Sequence, residues 1–115
     1  MVRIAVRSTD LIRTMRWYQY LMITRKGLDY AEKRYSRKHI PLEHMKLYQL
    51  LIKIIWMGGK MNINHAIMAG HSNKILTQAS SNGYIKIVRR QDKLPYNIQR
   101  KISEMIGKAP QQIYA

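Results

Sequence analysis

Residues 42–57, LEHMKLYQLLIKIIWM, constrain the fold more than any other stretch of the chain. Leu47, Leu50, Leu51, Ile54 and Ile55 recur at i, i+3, i+4, i+7 and i+8, the spacing of one apolar helix face. Tyr48, Ile52 and Trp56 make a second stripe at i, i+4, i+8, leaving only Lys46, Gln49 and Lys53 as a polar strip. A helix apolar over so much of its circumference is packed on more than one side. The rest of the chain must supply its neighbours. Gly58-Gly59 then ends it with a left-handed cap and places Lys60 at the stop.

Around this helix the punctuation is clear. Ser8, Thr9 and Asp10 form a cap cluster before Leu11, Met15, Tyr18 and Met22, which fall at helical spacing, and Lys26-Gly27 reads as the stop of that first helix. LDYAEKRYSRKH reads as a shorter charged helix or irregular arm ended by Pro41. Asn62 caps a helix carrying Ile63, Ala66 and Ile67. That helix either stops at Gly70, with Ser72 capping another, or runs through Gly70 to Ala79. SSNG at 80–83 is a turn and YIKIV at 84–88 a β-branched strand. RRQDK is a charged turn, Pro95 a break, and Asn97 caps a last helix with Ile98, Ile102, Met105 and Ile106 on one face. The expected fold is mainly α, in a single small domain. A basic N-terminal helix or extended arm covers 1–41, a helical core 42–107 with one short β-strand or hairpin near 84–96, and a tail 108–115.

Charge points to a partner. Twenty-one Lys and Arg face six Asp and Glu, for a formal net charge of +15. Self-repulsion of that size opposes compaction, and a polyanion relieves it; nucleic acid comes first and an anionic membrane surface second. No stretch approaches the roughly 18 uninterrupted apolar residues of a membrane span. Residues 1–26 are Arg-rich and acid-poor, the composition of a mitochondrial transit peptide. The reading adopted keeps them in the working protein, as an arm that orders on its partner inside a larger assembly.

Catalytic chemistry is sparse. The chain has no cysteine, which excludes disulfides, thiolate zinc sites and a cysteine nucleophile. Asp10, Asp29, Glu32, Glu43, Asp92 and Glu104 form no acid–base pair by local spacing. His39, His44, His65 and His71 lack a partner at ligand or relay spacing, and GGK lacks the frame of a phosphate-binding loop. No enzyme, cofactor, metal or small-molecule substrate is expected. RTMRWYQY and AEKRYSRK instead interleave cations with aromatics, which suits phosphate pairing and base stacking. Each aromatic taken alone fits a core position as well.

Two readings of the middle follow. In one, residues 42–88 form a winged helix, with a recognition helix at 73–80 and a hairpin wing over 84–98 that carries Arg89, Arg90 and Lys93 to phosphates. Against it, KILTQAS offers few side chains suited to base edges. In the other, LLIKIIWMGGKMNINHAIM resembles the start of the small-subunit ribosomal protein seven family, over residues 38–78. Leu50, Leu51, Ile54, Ile55 and Met57 match its first helix, Gly58, Gly59 and Lys60 its loop, and Ala66, Ile67 and Met68 its second helix; KHIP is similar to its basic lead-in. The double glycine looks more like mitochondrial members.

The resemblance implies a structural RNA-binding protein of the small subunit of a mitochondrial-type ribosome, in the matrix, with ribosomal RNA and neighbouring ribosomal proteins as partners. A cytoplasmic location is the alternative. It further implies one helix from 63 to 79 and a glycine turn near RNA. This is the sequence expectation. The winged-helix DNA binder comes second, and a basic accessory subunit of a large membrane complex third. The expected RNA contacts are Arg3, Arg7, Arg13, Arg16, Arg25, Lys26, Arg34, Arg37, Lys38, Gly58, Gly59, Lys60, Arg89, Arg90 and Lys93.

Overall fold

The computed structural model describes residues 19–35 and 39–107. Expectations for the cap cluster at 8–10, for Arg3, Arg7, Arg13, Arg16, Arg37 and Lys38, and for the 108–115 tail lie outside the described residues. In chain order the elements are β1 (Gln19–Ile23), α1 (Arg25–Tyr35), α2 (Leu42–Trp56), β2 (Lys60–Asn62), α3 (Ile63–Met68), α4 (Asn73–Ser81), β3 (Ile85–Arg89) and α5 (Tyr96–Ile106). The molecule is mostly helical, with one small antiparallel sheet.

The hub is α2. Leu47, Tyr48, Leu50, Leu51, Ile52, Ile54 and Ile55 are all buried, and the helix touches α1, α4, α5, β1 and β2. Burial of each such Leu or Ile stabilises the fold by about 1.5–3 kcal/mol. The second stripe runs out of cover at Trp56, which is 51% exposed.

One device ends α2, α3 and α4. Gly58, Gly70 and Gly83 each stand one residue past the helix cap at positive φ (94°, 96° and 77°). The glycine N–H and the next N–H then return to the last turn: Gly58 to Ile55 O and Gly59 to Ile54 O, Gly70 to Ile67 O and His71 to Ala66 O, Gly83 to Ser80 O and Tyr84 to Ala79 O. These paired bonds are the Schellman closure. The starts of α3 and α4 are equally local: Asn62 Oδ1 accepts from the Asn64 N–H at 2.8 Å, and Ser72 Oγ from the Ile75 N–H at 3.2 Å. Residues 63–79 are therefore two helices broken at Gly70, not one.

The sheet runs in the order β2-β1-β3, with both pairings antiparallel. Leu21 lies opposite Met61 on one side and Ile87 on the other. This corrects the helix expected through Met22. Tyr20, Leu21, Met22 and Ile23 are consecutive apolar residues, and the last three are at most 1% exposed. A central strand covered on both faces needs such a run, whereas helical periodicity accounts only for Met22. Residues 19–35 thus belong to the core rather than to an arm.

Lys26-Gly27 is likewise no stop. It lies in the first turn of α1, where Thr24 Oγ1 accepts the Gly27 N–H at 3.1 Å and donates to Gly83 O. The short strand expected near 84–96 is β3, while the hairpin wing that the winged-helix reading placed over 84–98 is absent: β3 pairs with β1, and the chain turns at 90–92 into Pro95 and α5. Leu94 enters the core, and Pro95 has no N–H to offer a strand.

Candidate nucleic-acid interface

Between α3 and α4 lies the four-residue turn 69–72, held by Gly70 and Ser72. Two short helices joined this way have the connectivity of a helix–turn–helix. Leu76 and Ala79 anchor α4 in the core, at 2% and 0% exposure. Lys74, Gln78 and Ser81 are exposed on the opposite face, with Asn73 and Thr77 half-buried beside them. The face is polar and holds no acid. Asn and Gln can pair bidentately with adenine and Lys can reach guanine, so this surface is better suited to base edges than KILTQAS suggests as a string.

The charge asymmetry is sharper than the composition shows. No Asp or Glu occurs anywhere from His44 to Gln91, the stretch that builds α2 beyond Glu43 together with β2, α3, α4 and β3. The described carboxylates lie mostly on the other elements and serve there. Arg25 pairs with Asp29 at 3.3 Å within α1, and Lys101 of α5 pairs with Glu32 of α1 at 2.5 Å. Asp92 accepts the Arg89 N–H through Oδ2 at 2.9 Å and so shapes the turn after β3. Cations between His44 and Gln91 thus have no acid among them in sequence, while α1 and α5 together set three acids among six cations.

The expected contact residues divide accordingly. Arg89, Arg90 and Lys93 are exposed around the β3–α5 turn. Lys60 is not among them: its ammonium donates to the carbonyl oxygens of Arg90 and Asp92 and lies 5.3 Å from the Tyr20 ring centroid. It braces the turn from β2. Gly58 is exposed, whereas Gly59 is buried, and a Cβ there would stand 2.6 Å from Leu94 and 2.7 Å from Ile102. Its φ of 98°, together with this crowding, accounts for Gly59.

Arg25 is paired with Asp29, and Lys26 lies 5.5 Å from the Tyr84 ring. Arg34 stacks over Tyr30 at 3.7 Å and donates to the Tyr30 carbonyl. Tyr30 in turn touches Tyr84 and, through its hydroxyl, His44 Nδ1 at 3.2 Å; burial raises the Tyr30 pKa against the opposing charge of Arg34. This aromatic–cation stack joins α1, α2 and the start of β3, so Arg34 serves the fold.

Sequence reasoning missed Lys46, Lys53, His71, Lys74 and Gln78 as candidates. The positions of the acids, rather than the number of cations, carried the signal. No described helix is long and apolar enough to cross a membrane. Among the described residues no three His, Asp or Glu side chains converge as a metal site. The chain matches no family model, no curated protein and no solved structure in the comparisons made.

Proposed function

We propose that this chain binds duplex DNA through α4, as a winged-helix-like protein without catalytic activity. The observation that carries the reading is a helix–turn–helix set in a stretch free of acid from His44 to Gln91. Topology supports it. α2, β2, α3, α4 and β3 follow one another as helix, strand, helix, helix, strand, and the strand that closes the sheet, β1, comes from ahead of the unit rather than from a hairpin behind it. α4 enters the major groove with Lys74 and Gln78 toward base edges, and Arg89, Arg90 and Lys93 stand at flanking phosphates in place of a wing.

The test is anisotropy with a labelled duplex and a structured RNA hairpin at matched salt. Wild type is expected to prefer the duplex. Lys74→Ala/Gln78→Ala should weaken binding by about 1–3 kcal/mol for each base pair that α4 no longer reads. A preference for the hairpin that ignores Lys74 and Gln78 would replace this reading with a ribosomal-RNA protein that uses the same cationic surface.

A further inference from the structure

Where α2 passes the α3–α4 turn, its polar strip faces the backbone of that turn across a pocket of about 140 Å³. Lys46 and Gln49 line it from α2, and Gly70, His71, Ser72 and Ile75 from the other side. Lys53 continues the strip. Burial and the Lys53 charge together lower the His71 pKa from its ordinary 6.5. A liquid-water molecule takes about 30 Å³, so the space suits several waters or one tetrahedral oxyanion. No carboxylate lines it.

Lys53 already opposes a proton on His71, and the two charges coexist more easily when an anion lies between them. Gly70 leaves the approach clear, because a Cβ there would meet nothing within 4 Å. Ser72 Oγ is already engaged in capping α4. The cations of α2 and the ring of His71, rather than the helix end, therefore define the site.

We infer that this pocket is a phosphate site that receives one backbone phosphate of the nucleic acid whose groove α4 enters. The inference rests on the proposed duplex binding and adds a second anchor to it. Lys46 and Lys53 supply charge, Gln49 an amide donor, and His71 a ring N–H. A phosphate placed there favours the imidazolium and raises the His71 pKa, so binding takes up a proton. Among the described residues the titratable groups facing His71 are Lys46 and Lys53 of α2, with no acid beside them.

The experiment follows the His71 ring by NMR across pH in the full chain, first with inorganic phosphate and then with a duplex. Wild type is compared with Lys46→Gln/Lys53→Gln, whose exposed positions on α2 lie outside the core, so the variant should fold and melt at or above the wild-type temperature. Phosphate should raise the His71 pKa saturably in wild type and not in the variant. The variant should also lower the logarithmic salt slope of duplex binding by about one unit, for the one phosphate that the pocket neutralises. If Lys74→Ala/Gln78→Ala weakens the duplex while the lysine variant leaves slope and titration unchanged, the pocket is overturned and the function stands. If no duplex binds at all, the function falls and inorganic phosphate decides the pocket alone. An unresponsive His71 then overturns it too.

Discussion

A Cβ on Gly27 would overlap the carbonyl oxygen of Tyr84, because the first turn of α1 is laid directly on the backbone leading into β3. A Cβ on Gly58 would meet nothing within 4 Å, and only its φ of 94° resists substitution. The same replacement therefore has two separable costs. Gly58→Ala should lose about 1–2 kcal/mol, the penalty of a left-handed L-residue. Gly27→Ala gains up to about 1 kcal/mol of helix propensity, yet must push apart two backbones that are hydrogen-bonded through Thr24. Overpacking typically costs about 1–3 kcal/mol, and more where the obstacle is backbone rather than a movable side chain. Urea unfolding should therefore rank Gly27→Ala as the less stable variant. Equal stability of the two would mean that α1 can lift from β3 at little cost.

Between β2 and the β3–α5 turn, one side chain holds two elements together. The Lys60 ammonium caps the Arg90 and Asp92 carbonyls, while Asp92 accepts the Arg89 N–H, so the cationic corner is preformed. Lys60→Met should lose about 1–2 kcal/mol of stability, the low end for charged hydrogen bonds at an exposed site. It should also speed amide exchange over residues 89–93. Its salt slope for duplex binding should stay near that of wild type, because Lys60 faces carbonyls. Arg89→Gln/Arg90→Gln should reduce the slope by about two units. A one-unit drop for Lys60→Met would return Lys60 to the phosphate-contacting set.

This brace explains what the sequence could and could not reveal at the level of elements. α2, the body of α5, β3 and the caps at Asn62 and Ser72 were legible because each depends on residues within a few positions of itself, whereas Asn97, expected to cap α5, lies inside a helix that starts at Tyr96 behind Pro95. β1 was not: its partners are residues 60–62 and 85–89, and a four-residue apolar run carries no period that marks it as a strand. The same long-range pairing left the strand of 84–88 without the hairpin partner of the winged-helix reading, and set the Lys60 ammonium against the Arg90 and Asp92 carbonyls. Of the interface, Arg89, Arg90 and Lys93 were legible as a cationic turn. Lys46 and Lys53 read as a solvated strip in the sequence, and only the fold sets the α3–α4 turn beside them.

Across the whole molecule, the +15 charge makes salt act in opposite directions on folding and on binding. The described acids are largely spent in exposed pairs such as Arg25–Asp29, and such pairs contribute at most about 1 kcal/mol each. Salt weakens them, but it weakens the far more numerous cation–cation repulsions as well. At about 0.1 M the Debye length is already near 10 Å, shorter than most distances between like charges on a domain of this size. Repulsion should therefore dominate the free protein. Its melting temperature is expected to rise by several degrees between low and moderate sodium chloride, where a gain of 1 kcal/mol shifts a small domain by about 4–8 °C. Over the same range the duplex complex should weaken steeply, because each phosphate neutralised adds about 0.9 to the logarithmic slope. Nucleic acid and salt would then stabilise the fold by the same means, and saturating duplex at low salt should raise the melting temperature most. A melting temperature that falls with salt in the free protein would show that its internal ion pairs outweigh its self-repulsion, and would remove the physical reason for a polyanionic partner.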